Sequence, residues 1–260
     1  MKVVVFLMRD EVGADRPLDA LYRELAESGG AFECRWHIVD RFASIDCKRS
    51  HVMTRAMQEA AERGEHFVTV QVDHDVAWEP GGLLRLARHC ETTRGVVGAI
   101  VPMRGFQRGF GGRICDGQVH VVGSDELVRL GHTSYVGGAM VAIHTEAITR
   151  IAERLELPLV SPGFIPFAMP MIDSEGCEPG DLPDYLYEDW ALVKRAHQAG
   201  VPVHAYLGVM TTHHGATPFT AETAVRPDER VDDNPLAWRE QTLKEQRRAL
   251  RERRSRGDRR

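Results

Sequence analysis

The chain has only five cysteines among 260 residues, and none is placed to build structure. Cys34, Cys47, Cys90, Cys115 and Cys177 are scattered and odd in number, with no Cys-x-x-Cys pair. That pattern excludes a disulfide framework and a cysteine zinc site, and it fits a reducing compartment. There is no His-x-x-x-His spacing of the kind a zinc hydrolase uses. No apolar stretch approaches the length needed to span a membrane. The N-terminal run Val3 to Met8 is short and stops at Arg9-Asp10, as a first strand does and a signal peptide does not. No internal repeat occurs. Met8-Arg9-Asp10-Glu11-Val12-Gly13-Ala14 is not the glycine-rich phosphate loop that many nucleotide-binding sheets carry after their first strand. What remains is an ordinary globular composition, 43% hydrophobic and 27% charged. It predicts one sizeable, soluble, cytoplasmic domain with room for an appendage.

The net charge of −5 conceals an asymmetry. Residues Arg239 to Arg260 hold ten basic and four acidic side chains, a net of +6, which leaves about −11 for the rest. A basic end of this kind suits either an anionic partner or a solvated tail. Leu236, Leu243 and Leu250 recur at seven-residue spacing within it, as on a surface helix or a short oligomer contact. The predicted division is a catalytic domain over 1–217 and a partly helical, basic extension over 218–260.

The first half alternates strand and helix. Strands are predicted at Val3–Leu7, Phe32–Val39, His66–Val72 and Gly95–Val101, with helices over Leu18–Ala26, His51–Glu62 and Gly81–Cys90. Alternation of this kind argues for an α/β fold with a mixed, mainly parallel sheet flanked by helices. After Pro102 the character changes. Arg104 to Arg113 is a basic, glycine-rich loop that suits either a phosphate-tracking segment or a surface connection. Short strands are expected at Gln118–Val122, Glu126–Leu130 and Gly138–Ile143. A Pro-, Gly- and aromatic-rich loop follows over Ser161–Pro183, of a length often used for a lid or binding loop. A helix over Trp190–Ala199 and a strand over Val203–Leu207 lead to Thr212-His213-His214-Gly215.

The most informative segment is Gln71-Val72-Asp73-His74-Asp75. Two carboxylates, one residue apart, stand at the end of a buried strand, with Glu79-Pro80 reading as a helix start. In a continued strand Asp73 and Asp75 face the same side, and the C-terminal edge of such a sheet is where an open α/β fold places its ligand. Oxygen donors suit Mg2+ or Mn2+, which in turn suit a diphosphate. Glu188/Asp189 and His213/His214 occupy comparable positions at a helix start and a strand end. Each cluster alone has a plain explanation, since acidic residues favour helix N-termini. The three together, in this order, point to a site. Arg9, Asp40 and Arg49 are further strand-end or helix-start residues suited to a nucleotide.

With these residues in view, the chain resembles the nucleotide-sugar-dependent glycosyltransferases of the GT-A fold, especially family-2-like enzymes, including short phage and bacterial ones. Tyr187-Glu188-Asp189-Trp190, Lys194-Arg195-Ala196, Ala199-Gly200 and His213-His214-Gly215 look like that family's Glu-Asp, helix, Ala-Gly, strand, His-x-Gly block. Asp73-His74-Asp75 with Pro80 and Leu83–Leu86 looks like its Asp-x-Asp and following helix. Gly137-Gly138-Ala139-Met140 resembles its small-residue turn, and Lys48-Arg49-Ser50, ahead of a helix, its Arg-Asn element. The resemblance covers roughly residues 1–215. It implies a Rossmann-like GT-A sheet and a nucleotide-sugar donor, UDP-linked by preference. It implies Mn2+ or Mg2+ held by Asp75 and His213, with Asp73 on metal or ribose. It also implies Asp189 as general base, Glu188 as orienting carboxylate, and transfer with inversion.

The chain departs from the family's processive synthases. It has no Gln-x-x-Arg-Trp motif and no membrane helices, and Arg41-Phe42 follows Asp40 in place of the usual Asp-Gly-Ser. The acceptor is not legible. A hydroxymethylated base in phage-type DNA is one version, motivated by the glycine–arginine loop and the arginine-rich end; a saccharide, small-molecule or protein acceptor is another. Two further classes stay open: a sugar nucleotidyltransferase and a noncatalytic nucleic-acid-binding protein.

Overall fold

In the first strand, Val3, Val5 and Leu7 alternate with Val4, Phe6 and Met8, and both sets are buried, in different hydrophobic clusters. A strand apolar on both faces belongs at the centre of a sheet covered on both sides. The computed structural model, which describes residues 1–8, 15–30, 32–39, 42, 44–103, 110–118, 120–175, 183–214 and 219–220, places it there. In chain order the elements are β1 (Lys2–Met8), α1 (Asp15–Glu27), β2 (Glu33–Val39), α2 (Ile45–Arg63), β3 (Val68–Asp73) and β4 (Val76–Trp78). Next come α3 (Gly82–Thr93), β5 (Val96–Ala99), β6 (Leu127–Arg129), β7 (Met140–His144), α4 (Thr145–Arg154) and β8 (Met171–Asp173). The series ends with β9 (Asp184–Leu186), α5 (Glu188–Gln198), β10 (Val203–Tyr206), β11 (Thr211–His213) and β12 (Phe219–Thr220).

Seven strands form the main sheet in the order β2-β1-β3-β7-β5-β10-β6. β1 runs parallel to β2 and β3, and β5 parallel to β10, while β7 is antiparallel to both β3 and β5 and β6 is antiparallel to β10. The α/β architecture expected from the strand–helix alternation is therefore the one adopted: a mixed, mainly parallel sheet with helices on both faces. α1 and α3 cover one face through Leu21, Leu83, Leu86 and Ala87. α2, α4 and α5 cover the other through Val52, Met53, Ile148, Ile151, Leu192 and Ala196. β4, β11 and β12 form a small second sheet, and β8 and β9 a separate hairpin.

Several elements differ from the sequence reading. β3 ends at Asp73, so Asp75 lies in the turn before β4 and the two carboxylates are not on one strand. Glu79-Pro80 does not open a helix, because β4 occupies 76–78 and α3 begins at Gly82. α2 begins at Ile45, which puts Arg49 inside the helix. Helix α4 has no counterpart in the reading, although Ala147, Ile148 and Ile151 form a helical apolar stripe behind an N-cap in which the His144 side chain accepts from the Glu146 amide. The described residues of 118–122 form no strand. The loop after Ser161 is not a free lid over its first part: Phe167 and Ala168 are fully buried, and Ser50 and Thr54 of α2 accept the Ala168 and Ile165 amides at 3.0 and 2.8 Å. The small sheet extends to Thr220. The leucine repeat at 236, 243 and 250 and the whole basic end lie outside the described residues.

Helix α3 opens with glycines and has no side-chain cap of its own. Glu24 of α1 supplies one instead, accepting the Gly81 amide at 2.6 Å and the Leu84 amide at 3.0 Å from a buried position. This carboxylate occupies the positive end of the helix dipole. Substitution Glu24→Ala strands one buried and one half-buried donor and is expected to cost about 1–3 kcal/mol in urea unfolding; a loss within about 0.5 kcal/mol, the level of a neutral surface change, would contradict the capping role.

Candidate functional site

The parallel strands β1, β2 and β3 end level with one another, Met8 pairing with both Val39 and Asp73. Such an edge leaves carbonyls, amides and strand-end side chains open to a ligand. α5 packs on the sheet and runs back along β10, so its first turn, with Glu188 and Asp189, arrives at this same edge.

Arg49 organises the middle of the site. Its guanidinium donates to Asp73 Oδ1 at 2.7 Å and to the Gly138 carbonyl at 2.6 Å, and the residue is 1% exposed. A planar fork is suited to joining two acceptors in this way. The amide of Gly138 in turn donates to Asp189 Oδ2 at 3.1 Å, while Asp189 Oδ1 accepts from the Trp190 amide at 2.8 Å. One backbone residue thus joins the strand-end carboxylate to the helix-start carboxylate. The approach is close enough to require glycine: a Cβ at Gly138 would stand 2.9 Å from Arg49 Cζ and 3.0 Å from Asp189 Cβ. At Gly137 it would meet the Gly111 carbonyl oxygen at 2.2 Å.

The second half of the site comes from the small sheet. β11 pairs antiparallel with β4, setting His213 against Val76, the residue after Asp75. The Asp75 carbonyl accepts the His214 amide at 2.7 Å, and Asp75 Oδ2 lies 3.3 Å from His213 Nε2. His213 Nδ1 donates to the Pro102 carbonyl at 2.7 Å. A carbonyl can only accept, so Nδ1 carries a proton and, in the neutral ring, Nε2 presents its lone pair toward the carboxylate. With the ring neutral, the Nε2 lone pair and the carboxylate oxygen could share a cation; with the ring protonated, Nε2 donates to Asp75 directly. Their separation is near the roughly 3 Å expected of two adjacent ligands on an ion with bonds of about 2.1 Å. The donor set fits Mn2+ or Mg2+ as a partial site, the remaining positions falling to substrate oxygens and water. Among the described residues no group of three or more His, Cys, Asp or Glu side chains is assembled to hold a metal ion. Asp73, the third member of the predicted trio, is ion-paired with Arg49 through Oδ1 at 2.7 Å.

Burial pushes the Asp73, Glu188 and Asp189 carboxyls above the ordinary range, and Arg49 pulls in the opposite direction on all three. For Asp189 this decides a competition: the helix dipole and two amides favour the ionised form, and desolvation outweighs them. Asp73 interacts electrostatically with Asp75 and His213 on one side and, through Arg49, with Asp189 on the other, so the two halves form one cluster.

The structure thus brings together Asp73, Asp75, His213, Glu188, Asp189 and Arg49. Arg49 occupies a different place from the one anticipated. It is buried beneath the carboxylates and holds protein atoms, whereas the sequence reading puts it on a nucleotide. Arg9 and Asp40 lie outside the described residues, as do residues 104–109 of the glycine–arginine loop. The sequence reading contains neither the Pro102 carbonyl behind His213 nor the amide of Gly138 at Asp189, because backbone groups leave no signature in residue identity.

No family model matches the sequence, and a search of curated proteins found no match. Among solved structures, the crystal structure of A197 from STIV is similar at 12% identity with a TM-score of 0.51, covering 89% of this chain and all of that one. GalNAc-T7 with UDP, GalNAc and Mn2+ aligns at 9% identity and a TM-score of 0.48, over 85% of this chain and 44% of its own. UDP-glucose pyrophosphorylase from Acinetobacter baumanii aligns at 10% identity and a TM-score of 0.43, over 82% and 88%. At these identities the likeness to A197 establishes a shared fold.

Replacing Arg49 by Met removes the buried cation that acts on the half-buried Asp73, Glu188 and Asp189 and is expected to destabilise the protein by about 1–3 kcal/mol, the cost of leaving hydrogen-bonded polar groups without their partner. Chemical denaturation of the two proteins measures it, and equal midpoints would remove Arg49 from the centre of the site.

Proposed function

We propose that the chain is a metal-dependent glycosyltransferase of the GT-A type, family-2-like, which moves a sugar from a nucleoside diphosphate, UDP by preference, to an acceptor hydroxyl with inversion. The observation that carries this reading is the meeting of the Asp75–His213 pair with the Asp73–Arg49–Gly138–Asp189 chain at one edge of the sheet. A cation site and a buried carboxylate, side by side, supply the two kinds of help that glycosyl transfer from a diphosphate needs.

Asp75 Oδ2 and His213 Nε2 would hold the ion, with His213 fixed in orientation by Pro102. A bound Mn2+ or Mg2+ supplies positive charge to the departing diphosphate. Asp73, locked by Arg49, stands beside that pair and is placed to touch metal or ribose. Asp189 accepts the proton of the acceptor hydroxyl as its oxygen bonds to the anomeric carbon. The bond from that carbon to the diphosphate oxygen breaks, and its electron pair leaves with the nucleoside diphosphate. Two of the four lone-pair positions of the Asp189 carboxylate are occupied by amides, which fixes its direction and leaves others free to receive the proton. Its raised pKa strengthens it as a base relative to an exposed aspartate. Glu188, half-buried beside it, is placed to orient the acceptor.

Substitution Asp189→Asn is expected to keep donor binding and lose transfer by at least about a hundredfold, the low end of the contribution of a general base. Burying the ionised form costs stability at neutral pH, because the folded pKa lies above the unfolded one. That cost disappears as pH falls through the raised value, and the Asn variant escapes it, so its Tm at pH 7 should equal or exceed the wild type's. By the same sign, the acid limb of kcat/KM should fall above pH ~4, where an unperturbed aspartate titrates. Wild-type-like transfer by the variant would refute the role.

Substitution Asp75→Ala should abolish the Mn2+-dependent part of UDP binding in calorimetry while leaving the Tm without ligand near that of the wild type. UDP binding that is indifferent to Mn2+ in both proteins would count against the cation site, and release of pyrophosphate from a sugar phosphate and nucleoside triphosphate would favour a nucleotidyltransferase instead.

A further inference from the structure

Beside the Glu188–Asp189 helix start stands the two-stranded hairpin of β8 and β9. Ile172 pairs directly with Tyr185 across it, and Tyr187, two residues on, caps α5 immediately before Glu188. Strand alternation sends Leu186 into the core at 2% exposure and Ile172, Tyr185 and Tyr187 outward, at 58%, 53% and 53% exposure. The two tyrosine rings meet edge to face, with centroids 5.0 Å apart. Large apolar side chains grouped in this way on a surface commonly mark a contact site. Tyr187 directly precedes Glu188 and Asp189 in the chain, which sets this group at the start of α5.

The hairpin is held rigidly. Lys194 of α5, 4% exposed, is ion-paired with Asp173 at 2.8 Å and with Glu175, and it anchors β8 to the helix. Trp190, one residue after Asp189, stacks on the buried Tyr135 with ring planes 8° apart. The exposed rings therefore sit on a fixed base, and docking a ligand there costs little ordering entropy.

The charge around the rings selects the occupant. Among the described residues, Asp173, Glu175, Asp184 and Glu188 lie on the hairpin or at the helix start, with Lys194 buried beneath them and Arg113 acting on Tyr135 behind them. A phosphate-rich chain laid on this surface meets like charge. An uncharged pyranose does not. Its positively polarised C–H face matches the negative face of a tyrosine ring, and its hydroxyls can reach the phenols and carboxylates.

We propose that Ile172, Tyr185 and Tyr187 form the acceptor platform, and that it takes a neutral sugar ring and presents one of its hydroxyls to Asp189. The proposal rests on the transferase reading above and gives it a substrate class, a saccharide in place of DNA.

Ligand-observed NMR titrations of the full chain test it, with methyl β-glucopyranoside, methyl β-galactopyranoside, N-acetylglucosamine and cellobiose as probes and a short single-stranded DNA oligonucleotide as the polyanion. At least one saccharide should bind, and Tyr185→Ala and Tyr187→Ala should each weaken it about fivefold or more, the worth of one aromatic stack. Tyr22→Ala, at a tyrosine of α1 that is equally exposed, should leave binding unchanged. UDP binding with Mn2+ should be the same in Tyr185→Ala and in the wild type. The platform is overturned if no saccharide binds, if both hairpin variants bind like the wild type, or if the oligonucleotide binds through these tyrosines. Saccharide binding through the tyrosines without any UDP binding would leave the platform standing and remove the transferase reading. UDP binding with tyrosine-independent sugars would remove the platform alone.

Discussion

The Arg49 guanidinium is the interaction on which the site depends. Three carboxylates, Asp73, Glu188 and Asp189, are crowded at one sheet edge in a partly dry setting where each is pushed toward its neutral form. A single buried cation, supplied by α2 from beneath, lowers that tendency in all three. It does so while fixed to a backbone carbonyl, so it cannot swing out to solvent and leave them unbalanced. Arginine suits the task because it stays charged when buried and its fork can serve two acceptors at once. A lysine would supply the charge without the geometry.

The rest of the fold serves to bring separate segments to that cation. The parallel pairing of β1 with β3 fixes where Asp73 ends its strand, and the antiparallel insertion of β7 beside β3 delivers the Gly137–Gly138 turn next to it. The Asp73 amide donates to the Ala139 carbonyl at 2.9 Å, which locks the strand end and the turn in register. The β4–β11 pairing then carries His213 to Asp75 across a long stretch of sequence. A pair built from a turn and a strand end on different parts of the chain is sensitive to the fold as a whole. Buried carboxylates near neutral pH cost stability, and the well-packed clusters on both sheet faces are what the fold sets against that cost.

The glycines of the site illustrate how tightly these segments converge. Gly137 and Gly138 are needed because Gly111, Arg49 and Asp189 approach where a side chain would begin, not because the turn needs an unusual backbone angle. The space left at this point keeps the Asp189 carboxylate within hydrogen-bond reach of a fixed amide. The aromatic hairpin beside α5 adds a surface of another kind, open where the carboxylate cluster is closed.

Periodicity in the chain was enough to specify the strand–helix alternation, the burial of β3, and the arrival of acidic residues at strand and helix ends, because these follow from local apolar spacing. It misjudged short elements, such as β4 and β11, whose three residues carry too little pattern, and it passed over α4, whose stripe follows directly on a buried strand. Residue identity also singled out side chains that the fold gathers at one sheet edge, but not what each one touches. That Arg49 lies beneath the carboxylates, that Asp75 sits in a turn facing His213, and that Asp189 is raised by burial despite its helix dipole were decided only by tertiary packing. The physical reason is that ion pairing, desolvation and backbone hydrogen bonding depend on distances between segments far apart in sequence, and local propensity holds no information about those distances.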